Sequence, residues 1–587
     1  MKTILFSIFS ILGLCFSNAQ NQKSPIRGGQ VLETKVHPII LPMTDISPAS
    51  GKSANQTPIN ENKTFDIDAI TITTGTVIND NTLSSLKSDN SIAVSNKAVL
   101  IDTVVTVKNS RINYYTLGGN FIQSIRLDSF ANPVLPGYTF GDPKILYDSD
   151  SNRYILSYQA WDTPPAIKKS YIFLFASKSS NPMLGWNGYV IPDSDVVPDS
   201  LWLDRPDIGM STAEIFITAH AYKDSLISSG GFRRNVIISL RKDKLYKNQS
   251  DTIREVVIPN DTKIYGLYPV SYGQGGNYGP GIYMIKTNQA VSDSVWLYDI
   301  TNHVYTYNFQ ILKKGTYRGY YITSTPLLQK GTNVKMDAGP CRPLDAFYLN
   351  GVVHYVFTES KLSQNIKSRI SYNRLNLNTT PSFTNTSATY ANLGAAYPSL
   401  ASLATSNTDK SVVIGFLTSD SLSFPSFHAI SCDDNMNWGN DLLLAAGDTA
   451  RLSGGWGDYT GTVRKHNSPT PIAWTAGNYT HYDGIIPWTS NYIAEIIKTG
   501  ATEIQNSLSI ENKIVLYPNP TDSYFMLKFT SEQFTDIKVS LYDMLGHPLA
   551  LLYQGNKDNL NLIKFNTLKY SKGVYFVYIM AYVSVES

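Results

Sequence analysis

The sequence contains few cysteines and few charged residues for its length, and both scarcities exclude classes of protein. Only 3 cysteines occur among 587 residues, and charged residues make up 16%. A disulfide-stapled scaffold would need far more cysteine than this. Lysine and arginine total 49 against 46 aspartates and glutamates, which gives a net charge of +3 with no long run of either sign. We therefore expect no nucleic acid partner and no electrostatic attachment to an anionic membrane.

Long apolar runs are also scarce, and the only marked one lies at the N-terminus. A basic start precedes the apolar stretch 4–16, and small residues surround a cut after Ala19. This pattern predicts a cleaved signal peptide at residues 1–19. The bulky Leu14 before Cys15 argues against a lipoprotein site. No other run approaches the ~20 apolar residues of a membrane helix, so we expect no transmembrane segment in the mature chain.

Removal of the signal peptide leaves Cys341 and Cys432 as the two cysteines of the mature chain. In an oxidising compartment they could form a disulfide bond. Burial of both as free thiols fits the sequence equally well. The sequence leaves this choice open.

The composition favours strands over helices. Aromatic residues reach 12%, with 38 tyrosines, as in β-rich extracellular proteins. Residues 20–64 are polar and interrupted by proline and glycine, which predicts a tether or a loosely packed arm. Apolar and polar residues then alternate over 65–72, a pattern typical of a strand.

A unit of four short strands joined by turns recurs between about residue 90 and residue 498. The clearest copy has strands at 144–147, 153–158, 171–176 and 188–191, and a second has them at 399–403, 412–416, 427–430 and 441–444. Such a repeat cannot bury its own apolar faces and is stable only against neighbouring copies.

The third turn of the two copies shares a pattern of serine, aspartate or asparagine and a closing tryptophan. It runs over residues 179–186 in one copy and 431–438 in the other, ending at Trp186 and Trp438. Both turns resemble degenerate forms of the Asp-box of sialidase-like β-propellers, which joins the third and fourth strands of a blade. Asp-boxes stabilise the fold, so this resemblance implies an architecture and no catalytic role.

The beginnings of the first strands can be followed along the chain, most of them just before a proline. They fall at Ser91, Asp142, Arg205, Tyr268, Arg342, Tyr397 and Trp456. We therefore predict an all-β protein with a propeller of about seven four-stranded blades over residues 65–498. We also expect the strand near residues 67–72 to complete the last blade.

The C-terminal residues carry a second recognisable pattern, composed of Tyr-Pro-Asn-Pro, a strand that ends in a glycine turn, and a late Gly-x-Tyr-Phe strand. It resembles the type A C-terminal sorting domain of the type IX secretion system of Bacteroidota. This resemblance implies a small β-sandwich at 511–587 after a linker at 499–510, the type IX secretion machinery as a partner, and a secreted or cell-surface location. The residues that carry it are Tyr517, Pro518, Asn519, Pro520, Gly546, Gly573 and Tyr575.

Polar residues at the beginnings of the first strands would converge on one mouth of the central channel, because those strands line it. Such a ring could bind a cation or a sugar, and neighbouring carboxylates could divide acid and base roles. The same residues would also fit a structural role at strand entries. The weak catalytic candidates are Asp142, Asp204, Asp207, Arg205, Arg342, Asp345, Asp458 and Tyr459.

Other chemical motifs are missing from the sequence. No His-Glu-x-x-His and no paired His and Cys spacing occurs, so we predict no metal site and no cofactor, although a structural cation such as calcium is compatible with the ring. The glycine-rich stretch 273–281 lacks the ending of a phosphate-binding loop, and we expect a flexible loop there.

Two functions remain open at this point. The first is a secreted or surface propeller that binds an extracellular glycan, protein or polymer, because a scaffold is predicted without a catalytic signature. The second is a sialidase-like glycoside hydrolase or lyase that acts on extracellular glycans, because the ring contains several carboxylates.

Overall fold

A computed structural model of the full chain divides into two compact units, Met1–Ala501 and Thr502–Ser587. No helix among the described residues is both long enough and apolar enough to cross a membrane. The signal peptide predicted at residues 1–19 lies outside the described residues. The structure describes residues 24–26, 30–39, 70–84, 88–95, 103–131, 137–162, 169–198, 201–223, 231–258, 266–287, 294–317, 324–360, 367–379, 384–390, 394–452, 455–466, 468, 470–485, 487–499, 514–517, 521, 523–529, 534–543, 548–556, 564–571, 573 and 575–583.

Four strands precede the first blade, and the first four blades follow them in the chain. The early strands are β1 (Ser24–Ile26), β2 (Gln30–Val36), β3 (Pro38–Ile39) and β4 (Thr71–Ser84). Blade 1 contains β5 (Ser91–Val94), β6 (Thr103–Lys108), β7 (Arg111–Thr116) and β8 (Phe121–Arg126), followed by helix α1 (Leu127–Ala131). Blade 2 contains β9 (Thr139–Asp148), β10 (Arg153–Trp161), β11 (Ser170–Ser177) and β12 (Trp186–Pro192). Blade 3 contains β13 (Leu201–Met210), β14 (Glu214–Lys223), β15 (Phe232–Arg241), helix α2 (Lys242–Tyr246) and β16 (Asp251–Val257). Blade 4 contains β17 (Tyr268–Pro269), and after the short strand β18 (Ser271–Tyr272) it continues with β19 (Ile282–Thr287), β20 (Ser294–Ile300) and β21 (Ile311–Tyr317).

The remaining blades follow a small hairpin of β22 (Leu327–Gln329) and β23 (Thr332–Met336). Blade 5 contains β24 (Asp345–Leu349), β25 (Val352–Glu359), β26 (Arg369–Asn376) and β27 (Thr384–Tyr390). Blade 6 contains β28 (Ala395–Ser402), β29 (Val412–Thr418), β30 (Ser426–Cys432) and β31 (Trp438–Ala445). Blade 7 contains β32 (Gly461–Lys465), β33 (Ile472–Tyr482) and β34 (Pro487–Thr499). Three single-turn 3₁₀ helices lie at Pro182–Leu184, Asp193–Asp195 and Val304–Thr306.

These strands form seven blades whose four main strands are antiparallel, and each blade starts with its innermost strand; the short strand β18 pairs parallel with β24 of blade 5. Both faces of most strands are buried; seven consecutive residues of β10 are buried, for example. Side chains from neighbouring blades share apolar clusters, so each sheet is stable only within the ring. The predicted all-β propeller of about seven blades is therefore confirmed.

The ring closes through β4, which pairs antiparallel with β34 and supplies the fourth strand of blade 7. Ile72 pairs with Lys498 at the start of this contact. The predicted closing strand was placed slightly too early, because the described strand begins at Thr71 and extends to Ser84. Half of the predicted range, residues 67–69, lies outside the described residues.

The described part of the polar N-terminal arm, residues 24–26 and 30–39, pairs with the propeller, although the composition of residues 20–64 predicted a tether or a loosely packed arm. Strands β1, β2 and β3 add a fifth strand to the outer edges of blades 4, 3 and 2 in turn. All seven residues of β2 pair with β16. Outer edges have unpaired backbone donors and acceptors, and pairing with them stabilises a polar segment that has little apolar surface to bury.

The central channel contains a cavity of about 130 Å³. We call the end at which the innermost strands begin the mouth, and the opposite end the far end. Lys144, Tyr268 and Asp345 line the cavity towards the mouth, while Ser402, Arg464 and other residues near the ends of these strands line it towards the far end.

The glycine-rich stretch 273–281 is held by the neighbouring blade and is not the free loop that its sequence predicted. The amide of Gly276 donates to Ser149 Oγ over 2.5 Å, and the amide of Asn277 donates to Asp150 Oδ2 over 3.1 Å. The side-chain nitrogen of Asn277 also donates to Asp148 Oδ1 and Asp150 Oδ2. A loop that starts beside blade 4 thus lines the far end of the channel and is fixed to blade 2.

The two serine-rich turns lie between the third and fourth strands of blades 2 and 6, as predicted. In the second turn, Asp433 Oδ1 accepts hydrogen bonds from the amides of Asn435 and Asn437, each over 2.8 Å. Trp438 Nε1 donates to the carbonyl of Thr389 in blade 5. The turn therefore fixes its own backbone and fastens one blade to the next.

Cys341 and Cys432 are both buried free thiols, so the two cysteines of the mature chain do not pair. The C-terminal unit contains two three-stranded sheets around a small apolar core. Its strands are β35 (Ile514–Tyr517), β36 (Tyr524–Phe529), β37 (Phe534–Tyr542), β38 (Pro548–Asn556), β39 (Lys564–Asn566) and β40 (Phe576–Val583).

Candidate functional site

Three of the predicted strand starts share an unusual backbone. Asp142, Arg205 and Tyr397 have φ values of 49°, 54° and 51°, and each precedes a proline. The pairing register of the innermost strand shifts at each of them. A non-glycine residue in the left-handed region is strained, and a bulge redirects a side chain out of the regular pleat. This repeated irregularity positions side chains at the mouth.

Gln159 on β10 joins two of the carboxylates at the mouth. Its Nε2 donates to Asp142 Oδ2 over 2.5 Å and to Asp204 Oδ1 over 2.9 Å. Its Oε1 accepts from the backbone N–H of Arg205 over 2.9 Å. One amide side chain therefore links the innermost strands of blades 2 and 3.

Residues before β32 bring blade 7 into the same group. The hydroxyl of Tyr459 donates to the other oxygen of Asp142 over 3.2 Å. Nη2 of Arg205 lies 3.5 Å from Oδ2 of Asp458. Asp142 of blade 2 and Arg205 of blade 3 thus both contact residues that precede β32 of blade 7.

A residue just before β5 completes the group from blade 1. Asp89 Oδ1 accepts from the amide of Asp458 over 2.5 Å, and its Oδ2 accepts from Asn109 Nδ2 over 2.7 Å. Asn109 Oδ1 in turn accepts from the amide of Asp142 over 3.0 Å. We call the group formed by Asp89, Asn109, Asp142, Gln159, Asp204, Arg205, Asp458 and Tyr459 the mouth cluster.

Lys144 lies beside the mouth cluster and occupies an aromatic site within the channel. Its ammonium is 3.0 Å from Asp207 Oδ1 and 3.6 Å from the centre of the Tyr459 ring. The ring of Tyr268 is 6.0 Å away on another side. Both a carboxylate and an aromatic face therefore stabilise this cation.

The mouth cluster contains more carboxylates than positively charged groups. Burial, followed by the charges of Asp89 and Asp204, raises the pKa of Asp142 well above its usual range. Burial also raises the pKa of Asp89 and of Asp204, and the charge of Asp458 raises both further. Although burial alone would lower it, the same carboxylates raise the pKa of Arg205 well above its usual value. One guanidinium thus serves several carboxylates.

Asp345 lies away from this cluster, on blade 5. Its oxygens accept hydrogen bonds from the amides of Leu400 and Ala346 over 3.0 and 2.9 Å, and from the Tyr268 hydroxyl over 3.4 Å. Burial raises its pKa to about 6. Asp345 lines the channel cavity, so it is a second, separate acid there.

Arg342 is the candidate that differs most from expectation, because it is only 2% exposed. Burial, followed by the charges of Arg342 and Arg205, lowers the pKa of His220 well below its usual value. Nε2 of His220 accepts from the amide of Gly266 over 3.1 Å. Arg342 is therefore a buried neighbour of the channel wall and does not belong to the exposed rim.

The predicted ring of polar residues at the mouth is therefore not one connected group. Five candidates belong to the mouth cluster, Asp207 pairs with Lys144, and Asp345 and Arg342 lie apart from it. Asp89, Asn109 and Gln159 of the mouth cluster, and Lys144 beside it, were absent from the predicted set. Asp89 and Lys144 lie two residues from the predicted strand starts Ser91 and Asp142. This proximity is the sequence signal that could have identified them. Gln159 lies on a second strand, so no pattern in the first strands could indicate it.

The chemistry of the mouth cluster suits recognition of polar groups. Asp142, Arg205 and Asp458 are partly exposed, while Asp89 and Asp204 are buried behind them. No group of three or more His, Cys, Asp or Glu side chains in the described part of the chain has an arrangement that would hold a metal ion. A structural calcium ion stays a prediction.

Solved structures with a similar chain path are distant. A streptogramin B lyase aligns with 71% of this chain and 97% of its own at 12% identity, with a TM-score of 0.33. A Hadza microbial sialidase aligns over 68% and 74% of the two chains at 13% identity, with a TM-score of 0.32. An α-L-arabinofuranosidase of Fusarium graminearum aligns over 72% and 97% at 8% identity, with a TM-score of 0.33. Likenesses this low support no assignment of substrate or activity.

Sequence comparison is informative only for the C-terminus. No curated protein matches the chain. Residues 515–586 match the family described as the secretion system C-terminal sorting domain. The described strands from β35 to β40 belong to this segment, whereas Pro518, Asn519, Pro520 and Gly546 lie outside the described residues. The chain therefore ends in a type IX C-terminal sorting domain, which marks it for secretion to the cell surface or the medium.

Proposed function

We propose that this chain is a type IX secretion cargo whose propeller binds an extracellular glycan at the mouth of its channel. The observation that carries this proposal is the convergence of Asp142, Arg205, Asp458 and Tyr459 from separate blades. Carboxylates accept hydrogen bonds from sugar hydroxyls, and a guanidinium donates to sugar oxygens.

Hydrogen bonds within the cluster favour binding over hydrolysis. Both oxygens of Asp142 already accept bonds, from Gln159 and Tyr459, and both oxygens of Asp89 are also used. A nucleophile or a general base needs a lone pair directed at the substrate or at a water molecule. A pre-organised network instead holds the exposed groups in one geometry, which lowers the entropy lost on binding.

A glycoside hydrolase is the second candidate, and one observation favours it. Burial and the charges of Asp89 and Asp204 raise the pKa of Asp142, which favours the protonated carboxyl that a general acid requires. Asp204 shares the same Gln159 nitrogen, so a second carboxylate is close enough to take part. The Asp-box resemblance of the third turns is also compatible with a sialidase-like propeller.

The two candidates differ in what happens to the glycan. The mature protein, incubated with a panel of polysaccharides and glycoproteins, should retain one of them without releasing sugar. Free reducing sugar in the wild-type sample, and none in an Asp142→Asn sample, would establish the hydrolase and overturn the binding proposal. Failure to retain any member of the panel would reject glycans as the ligand class.

Export can be tested separately from ligand binding. The N-terminal segment fits a cleaved signal peptide, which would deliver the chain to the periplasm for the type IX machinery. Deletion of residues 511–587 should therefore leave the propeller in the periplasm of a bacterium that has this system. Unchanged appearance of the shortened chain in the medium would contradict a sorting role, whatever the propeller binds.

A further inference from the structure

The far end of the channel holds a group of residues that the mouth does not use. Thr462, Arg464 and His466 alternate along and just after β32, so their side chains share the face that lines the cavity. Ser402 of blade 6 and Asn277 of the glycine-rich loop line the same cavity. This group therefore combines a cation, an imidazole and three neutral polar groups.

The guanidinium of Arg464 is fixed on one side and open on the other. Nη1 donates to the carbonyl and the hydroxyl of Ser402 over 3.2 and 3.4 Å. Within the described residues, Nε and Nη2 of Arg464 have no hydrogen-bond partner, and no carboxylate forms a salt bridge with it. The edge formed by Nε and Nη2 is the one that can donate two parallel hydrogen bonds to one carboxylate.

His466 adds a second incomplete group. Its Nδ1 is buried and has no hydrogen-bond partner among the described residues. A buried polar atom without a partner costs about 1–3 kcal/mol, so native proteins rarely keep one without a reason. Burial, followed by the charge of Arg464, lowers the pKa of His466 to about 3. The imidazole is therefore neutral near pH 7 and carries a single N–H.

The charges around this end leave Arg464 without a compensating anion. The nearest interacting carboxylate, that of Asp409, already pairs with the ammonium of Lys498 at 2.8 Å. Burial lowers the pKa of Arg464, which shows that its charge is poorly solvated there. A bound anion would supply the missing negative charge.

We propose that the far end of the channel binds a small monocarboxylate, such as a sugar acid, between Arg464 and His466. The carboxylate would accept two hydrogen bonds from Nε and Nη2 of Arg464, and the N–H of His466 would donate to the ligand. One net positive charge matches a single carboxylate better than a phosphate dianion. The cavity of about 130 Å³ has room for several water molecules or one small organic anion. This site lies at the opposite end of the channel from the proposed glycan site and does not depend on it.

The proposal is tested by calorimetric titration of the mature protein with glucuronate and acetate, and with inorganic phosphate as the comparison anion. We expect saturable binding of glucuronate, weakened at least about tenfold in Arg464→Gln because both donors and the charge are lost. Arg464→Lys keeps the charge but not the paired donors, and should weaken binding by an intermediate factor. Arg126→Gln removes a guanidinium that is 64% exposed and pairs with Asp128, so it should bind as the wild type does.

Three results would overturn the proposal. The first is that neither glucuronate nor acetate binds saturably. The second is that the wild type and Arg464→Gln bind glucuronate with equal affinity, and the third is that phosphate binds more tightly than glucuronate. If Arg464→Gln fails to fold, as judged by its thermal transition, Arg464→Lys and His466→Ala carry the test. Unchanged affinity for glucuronate in both of these variants would also overturn the proposal.

Discussion

The charged groups at the two ends of the channel are stabilised in opposite ways. At the mouth, several carboxylates share one guanidinium and are held by neutral donors such as Gln159 and Tyr459. At the far end, one guanidinium has no carboxylate partner among the described residues, and Ser402 fixes only one of its sides. Hydrogen bonds from neutral donors hold the mouth carboxylates in place, whereas an open donor edge leaves the far end ready for a ligand of opposite charge.

The same contrast extends to the loops around each end. The far end also contains a closed ion pair, because Lys242 and Asp148 lie 2.7 Å apart with side-chain exposures of 4% and 0%. Although burial alone would raise it, the ammonium of Lys242 keeps the pKa of Asp148 below its usual value. Asp148 also accepts a hydrogen bond from Asn277, so this pair supports the loop that lines the cavity.

Lys242→Met should give the largest loss of stability. It leaves Asp148 buried without its cation, and removal of one partner of a buried pair typically costs about 3–5 kcal/mol. Chemical denaturation measures the free energy of unfolding. Arg126→Gln is the matched control, because breaking its exposed pair with Asp128 should change stability by less than about 1 kcal/mol. Equal effects of the two substitutions would show that the far end does not depend on this ion pair.

Gln159→Leu should give the next largest loss, at the mouth. The substitution has similar volume but removes the donor shared by Asp142 and Asp204, and unsatisfied buried acceptors cost about 1–3 kcal/mol or more when charged. The loss should grow as pH rises, because the two carboxylates, whose pKa values burial raises, then ionise without their common donor. A loss that stays constant with pH would show that the amide does not stabilise the ionised carboxylates.

Asp345→Asn should change the pH dependence of stability more than stability itself. The folded pKa of Asp345 is about 6 against an ordinary value of 3.8, so the proton favours the folded state. Its contribution is fully present below about pH 4 and is lost as pH rises through 6. Relative to Asp345→Asn, the wild type should therefore lose up to about 3 kcal/mol between pH 4 and pH 7. Parallel stability curves for the two proteins would refute the raised pKa.

Asn277→Ala should have the smallest effect, on the glycine-rich loop. It removes two side-chain hydrogen bonds, to Asp148 and Asp150, worth about 1–2 kcal/mol together. Hydrogen exchange should become faster over residues 273–281 and remain unchanged at the mouth. Faster exchange at Asp142 or Arg205 as well would mean that the two ends are coupled.

The fold could be predicted from sequence because its signals are local. Short alternating runs, turn residues and a recurring third turn identify four-stranded units, and the strand starts give their number. The strands within the arm could not be predicted for a physical reason: β2 is stabilised by backbone pairing with β16, which requires no apolar pattern. The glycine-rich loop was misjudged because its partners, Ser149 and Asp150, lie more than 100 positions earlier.

The candidate site could be predicted only in part. Residues at strand starts converge by symmetry, which is why Asp142, Arg205 and Asp458 could be named from their positions. Which of them touch depends on bulges and on side chains such as Gln159, whose sequence environment is that of an ordinary strand. The sequence around Arg464 also gives no sign of a binding role, because its open donor edge depends on the position of Ser402 in another blade.

The most direct test of the proposed function is to map glycan retention onto the two ends of the channel. For any glycan that the wild type retains, affinity should fall at least about tenfold in Asp458→Asn and in Arg205→Gln, because both remove a partly exposed hydrogen-bonding group of the mouth cluster. Arg464→Gln, at the other end of the same channel, should retain the glycan with unchanged affinity. Unchanged retention by both mouth variants, together with loss in Arg464→Gln, would contradict the assignment of the mouth as the glycan-binding site.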